Sequence, residues 1–218
     1  MTADPAPAAR VLVLAGPSGA GKSRLARRLH AAHGWPVVQL DDFYRNGDDP
    51  SLPMSPQAGL PDWDDARSWR LDDALGALET LIRTGTAEVP VYDIATSRAT
   101  GTQRLELGGH PIVIAEGIFA ADTIAGLAER GLLAEAWCIR NRPWKTFARR
   151  LVRDLAERRK PPLTLVRRGL ALHRLEPGIV RAQEALGAEP MTAREAEARV
   201  PRLGHNDEQE GRRRGATT

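Results

Sequence analysis

"VLVLAGPSGAGKSRL", residues 11–25, sets a short apolar run against a glycine-rich turn and then a basic helical pattern. Val11 to Ala15 has the length and β-branched content of a buried strand, and the spacing from Lys22 onward is helical. Between them Gly16, Gly21, Lys22 and Ser23 satisfy the pattern G-x-x-x-x-G-K-[ST] in full. Glycines let the backbone wrap a chain of phosphates with its N–H groups pointing inward, and the start of the helix adds partial positive charge. The stretch therefore reads as a site for ATP or another nucleoside triphosphate, built from Gly16, Ser18, Gly19, Ala20, Gly21, Lys22, Ser23 and Arg24. In such a loop the lysine reaches the β and γ phosphates, and the serine hydroxyl is offered to Mg2+.

Outward from the loop, similar apolar runs recur at Val37 to Leu40, Ile112 to Ala115 and Ala136 to Ile139. Helical patterns fall at Lys22 to His33, Leu71 to Arg83, Ala121 to Arg130, Trp144 to Arg159 and about Thr164 to Leu186. Such alternation predicts an α/β fold with a mostly parallel sheet of four to five strands and helices on both faces. Residues 88–108 interrupt it: "EVPVYDI" and "QRLELGG" read as a small β-hairpin with "SRATGT" as its turn. Residues 186–200 contain no strand-like run, so only four parallel strands are read directly. One domain is expected over residues 10–200, with 1–9 and 201–218 as disordered tails that have little to bury.

Composition narrows the function classes. A chain of 218 residues that is 42% hydrophobic supports one substantial core. No apolar run is long enough to cross a bilayer and the start "MTADPAPAAR" lacks a signal-peptide core, so no membrane partner and a cytoplasmic location are expected. The only cysteine, Cys138 in "AEAWCIR", reads as a buried thiol in a reducing compartment. Lys and Arg number 31 against 28 Asp and Glu, a net charge of +3 spread along the chain, which argues against a nucleic-acid partner. The sequence leaves homo-oligomerisation open. Lysine is rare, at Lys22, Lys145 and Lys160 only, which makes each position informative.

Ligands of parallel α/β sheets sit beyond the carboxyl ends of the strands, so the polar residues there are the ones to weigh. The second strand ends in "QLDDFY", carrying Asp41 and Asp42, and the third in "VIAEGIF", carrying Glu116. Glu116 is placed to hold Mg2+ together with Ser23. Asp41 is placed to accept a proton from a hydroxyl attacking the terminal phosphate. On position alone, both acids also suit helix caps or solvated loops.

The segments "GPSGAGKS", "LDDFY", "DWDD", "VYDI", "AEGIF" and "RRLVRDLAERRK" follow one another in an order and spacing that resembles the uridine kinase family, within the phosphoribulokinase and uridine kinase group. The likeness covers roughly residues 11–180. It implies a P-loop kinase fold with an arginine-rich lid, and transfer of the γ-phosphoryl of ATP to the 5′-hydroxyl of a nucleoside such as uridine or cytidine. It implies Asp41 as catalytic base, with Lys22 and Arg153 as catalytic cations and Arg158 on the nucleotide. Asp64 of "DWDD" matches an acid that binds ribose hydroxyls, while Tyr92 of "VYDI" and Tyr44 of "LDDFY" fall on the substrate side. Arg150 and Lys160 match cations that contact substrate or phosphates, although spacing alone reads their helix as a solvated face paired to Asp154 and Glu157. "YDIATSRAT" lacks the histidine that the family carries after its "YD", Ile94 stands where many relatives are aromatic, and Lys160 replaces an arginine. Two further readings stay beside the first: a related kinase of another small alcohol or sugar phosphate, and a nucleotide-dependent regulatory ATPase.

Overall fold

The structure is a computed structural model that describes residues 9–55, 59–140 and 177–203. Its centre is β1 (Arg10–Ala15), buried at every position after Arg10. Period-two alternation divides this strand between two cores. Val11, Val13 and Ala15 face one hydrophobic cluster, and Leu12 and Leu14 face the other. A strand apolar on both faces needs a layer on each side, and the helices supply it.

The sheet has five strands in the order β2-β5-β1-β6-β7, all pairs parallel. They are β2 (Val37–Gln39), β5 (Ile112–Glu116), β6 (Leu133–Ile139) and β7 (Glu189–Met191) around β1. On one face, α2 (Leu71–Thr84) and α3 (Thr123–Glu129) bury Leu75, Leu78, Leu81, Ile124 and Leu127. On the other, α1 (Lys22–His33) and α4 (Ala193–Leu203) bury Leu25, Leu29, Ala196 and Val200 around Trp137. The expected doubly covered α/β sheet is the one observed. Among the described residues no helix is long and apolar enough to cross a membrane.

Several local expectations are corrected. The stretch 186–200 does contain a strand, β7, which adds a fifth parallel member beside β6. Only three residues long and carrying Pro190, it has no periodic pattern to read, and as an edge strand it tolerates the missing proline N–H. The helix after it starts with a capping box: Thr192 N–H donates to Glu195 Oε2 at 2.7 Å and Glu195 N–H to Thr192 Oγ1 at 3.3 Å. That helix runs past residue 200 to Leu203, which is buried, and Ala9 is buried at the other end. The hairpin pairs β3 (Thr86–Asp93) with β4 (Arg98–Glu106), so its turn lies at 94–97 and shares only Ser97 with "SRATGT". Threonines and Gly101 had made the start of β4 look like a loop; pairing with β3 overrides that composition. The second strand gives way at Leu40 to a 3-10 turn, Leu40–Phe43. Of the helix expected over 164–186, residues 177–185 are described and are helical, whereas the helix at 144–159 lies outside the described residues.

At the carboxyl end of β1 the chain turns without room for a side chain. Gly16 has φ +136°, and a Cβ built on it would stand 2.4 Å from the carbonyl oxygen of Ile139. Both the dihedral and the close approach exclude other residues. Gly16→Ala is expected to lower unfolding stability by about 2 kcal/mol or more, read as a shift in the denaturant midpoint with an unchanged slope.

Candidate functional site

The glycine-rich loop leaves β1, passes Gly16, Gly19 and Gly21 at positive φ, and opens α1. Among the described residues no side chain caps this helix, and its first turn holds no acid, so its amino-terminal dipole faces the loop. Lys22 is buried, and its ammonium donates to the carbonyls of Gly16 at 2.8 Å and Pro17 at 3.3 Å. A cleft of about 300 Å³ opens here, lined by Ser18, Gly19, Gly21, Lys22, Ser23, Arg24, Arg27, Asp41, Glu116 and Ile118. Ala20 is buried behind the loop and Gly16 lies beneath it against β6.

Parallel pairing carries both strand-end acids to this cleft. Gln39 on β2 is level with Glu116 on β5, and Glu116 is level with Leu14 on β1. Glu116 is nearly buried, and burial pushes its carboxyl above the ordinary range. A hydrogen bond from the Ser23 hydroxyl and the charges of Lys22 and Arg27 pull the other way, while Asp41 adds to the rise. Asp41 Oδ1 accepts a hydrogen bond from Ile118 N–H at 3.0 Å. Gly117 makes that contact feasible, since a Cβ there would lie 2.8 Å from Asp41 Oδ1 and 3.0 Å from Leu40 Cβ.

The residues expected on the substrate side gather around Tyr44. Tyr44 lies edge-on to Trp63 at 5.7 Å and to Phe119 at 6.0 Å, and tilted to Tyr92 at 6.0 Å. Its phenol is pushed up by burial first and then by the nearby charges of Asp41 and Asp64. This places Asp64, itself exposed, in the same electrostatic neighbourhood. Asp42 is turned toward the hairpin: Oδ1 accepts from Tyr92 N–H at 3.2 Å, and burial raises its carboxyl with Asp41 adding to the effect. The hairpin tip is further clasped to the loop after β2. Tyr92 Oη donates to the Arg45 carbonyl at 2.9 Å, Gly47 N–H to the Ser97 carbonyl at 2.7 Å, and Ala99 N–H to Asn46 Oδ1 at 2.9 Å.

Thus the loop residues, Asp41 and Glu116 come together, with Tyr44, Tyr92 and Asp64 adjoining. Arg150, Arg153, Arg158 and Lys160 lie outside the described residues. Arg27, Gly117, Ile118, Trp63 and Phe119 join the site without having been singled out from the sequence. Arg27 follows Ser23 by one helical turn, and Gly117 follows the strand-end acid directly; both signals were available. The aromatic contacts depend on the folding of loop 44–69, which has no periodicity to read. Serine hydroxyl and carboxylate form the hard-oxygen donor set that Mg2+ takes, and a cation there would relieve the buried charge of Glu116. Among the described residues no cluster of three or more His, Cys, Asp or Glu is placed to hold a metal ion.

No protein-family model matches the chain, and no curated protein matches it in sequence. Among solved structures, it is similar to a candidate fructose transport system kinase from Silicibacter sp. TM1040, with a TM-score of 0.61 and 21% identity over 88% of this chain and 91% of that one. Smaller likenesses join it to a candidate uridine kinase from Bacillus stearothermophilus (TM-score 0.39, 20% identity, 55% of this chain and 64% of that one) and to a D-glycerate 3-kinase from Cryptococcus neoformans (TM-score 0.35, 24% identity, 57% and 50%). The first shows a shared fold, and the other two are too partial to add to it.

Glu116 also makes the stability of the nucleotide-free protein depend on pH. Because its folded value is raised, the folded state holds the proton more tightly than the unfolded chain, and stability falls as pH rises through that folded value. Glu116→Gln is therefore expected to raise Tm at neutral pH relative to the parent, with the gain disappearing as pH falls below the ordinary glutamate range. Thermal scans of both proteins from acid to neutral pH, without nucleotide or magnesium, measure it.

Proposed function

We propose that the chain is an ATP-dependent kinase that phosphorylates a hydroxyl of a small neutral acceptor, the 5′-hydroxyl of a nucleoside such as uridine or cytidine being the first reading. The observation that carries it is the meeting of Asp41, Glu116, Lys22 and Ser23 in one cleft, with the aromatic cluster around Tyr44 within electrostatic reach of Asp41. Phosphates lie along residues 16–23, where backbone N–H groups and the Lys22 ammonium stabilise their charge. Ser23 and Glu116 would hold Mg2+, which supplies further neutralisation of the phosphate oxygens. Asp41, with Oδ1 fixed by Ile118 N–H, uses Oδ2 to accept the proton of the acceptor hydroxyl as the new O–P bond forms and ADP departs. In this reading Arg150, Arg153, Arg158 and Lys160 contribute charge to the phosphoryl group and acceptor, on the strength of the motif resemblance alone.

The acceptor side favours a neutral, hydroxyl-rich ring. Asp41 and Asp64 act electrostatically on Tyr44 and Asp42 accepts from the Tyr92 N–H, and carboxylates so placed disfavour a phosphorylated acceptor. One carboxylate accepts two hydroxyl hydrogen bonds at once, which suits Asp64 to a vicinal diol. Tyr44, Trp63 and Tyr92 offer apolar ring faces to a sugar or base. A free sugar is the second reading, in keeping with the description of the Silicibacter protein as a fructose transport system kinase. The single buried thiol fits a cytoplasmic setting.

The test is product mass detection with MgATP against uridine, cytidine, fructose and their phosphorylated forms. Transfer to a neutral acceptor in preference to its phosphorylated form is expected. Asp41→Asn should cut transfer by roughly 10² to 10⁴ while ATP affinity changes little. Hydrolysis of ATP that no acceptor stimulates, and that Asp41→Asn leaves unaltered, would assign the protein instead to the regulatory ATPases.

A further inference from the structure

We infer that Gln183 is a positioning residue for Asp41, acting through the Ile118 main chain. It lies 65 residues from Ile118 in sequence, in helical residues 177–185, and is 6% exposed. Its Nε2 donates to the Ile118 carbonyl at 3.1 Å, and the Ile118 N–H donates to Asp41 Oδ1 at 3.0 Å. Ile118 is thereby gripped at both of its peptide groups, by the helical segment on one side and by the strand-end acid on the other. This inference rests on the reading of Asp41 as the base.

The orientation of the Gln183 amide is itself determined. Cys138 Sγ, wholly buried at the end of β6, lies 3.3 Å from Gln183 Oε1. Burial pushes the Cys138 thiol up to about 11, so at neutral pH it keeps its proton and donates it to Oε1. With Oε1 committed to the thiol, Nε2 must face Ile118. A flipped amide would set oxygen against the Ile118 carbonyl and leave the thiol without an acceptor. The same strand end touches the glycine-rich loop, because Cys138 is level with Ala15 and the Ile139 carbonyl abuts Gly16. The phosphate loop and the base are thus registered to one fixed point, the end of β6. A shift of the Ile118 peptide would move Asp41 relative to the phosphates without disturbing the loop that binds them.

The test uses the full chain with MgATP and uridine, cytidine and fructose as acceptors. Gln183→Leu and Gln183→Met both remove the donor to Ile118 at similar side-chain volume. Both are expected to lower kcat with the best acceptor about 10-fold to 100-fold, with KM for ATP changing less than about 2-fold. Hydrogen exchange at the Ile118 amide, followed by NMR, should quicken in both. Cys138→Ser retains a donor to Oε1 and should resemble the parent, whereas Cys138→Ala should show part of the loss. This pair keeps the inference open to refutation should the Gln183 variants fold poorly. Unchanged Ile118 exchange in the folded Gln183 variants, or in Cys138→Ala, would overturn the link. So would parallel losses in kcat and ATP binding that follow thermal stability. If the parent phosphorylates none of the acceptors, the reading of Asp41 fails, and Ile118 exchange still decides whether Gln183 governs that peptide.

Discussion

Where β1 ends, two backbones meet with nothing between them: Gly16 lies against the Ile139 carbonyl of β6. Everything at the site is measured from this contact. It sets where the loop begins to turn, hence where the first turn of α1 points its N–H groups. Because β1 is also paired to β5, the same strand brings Glu116 level with the loop, and β5 in turn fixes β2 and Asp41. A fully apolar strand at the middle of a parallel sheet is an expensive element to leave uncovered, so helix packing on both faces makes this register rigid. A catalytic arrangement built on strand ends inherits that rigidity, whereas one built on loops alone would not.

The cleft concentrates unlike charges in a confined space. Asp41 adds to the tendency of Glu116 to hold a proton, and Lys22 with Arg27 opposes it. The Lys22 ammonium donates to two loop carbonyls. Those are weaker partners than a phosphate oxygen. Under the proposed function, a polyphosphate would exchange these internal contacts for stronger ones, with little change of geometry.

How much could be read beforehand follows from where the determinants lie along the chain. The strand, glycine-rich turn and helix were legible because a local pattern around Gly16, Gly21 and Lys22 sets them. Asp41 and Glu116 were legible because each follows an apolar run, and strand ends define the ligand face of such sheets. β7 was not, since three residues including a proline derive their strand character from pairing with β6 alone. Gln183 was equally hidden: a glutamine on a polar helix looks like solvent-facing surface until its partners, 45 and 65 residues away, are known. Among the aromatic neighbours of Tyr44, Trp63 comes from a loop whose course depends on turns and tertiary contacts rather than on periodicity.

The hairpin clasp has a mechanical consequence. Asp42 and the loop through Gly47 are bonded to the tip of β3 and β4, while α2 packs along β3. Force applied at the hairpin would therefore be transmitted to the residue next to Asp41, not dissipated in a slack linker. Sequestration of Cys138 beside the same strand ends offers a built-in gauge of such opening. As the sole thiol of the chain, it would be alkylated only in molecules whose sheet has parted from helical residues 177–185, so the speed of labelling times the breathing of the core around the site.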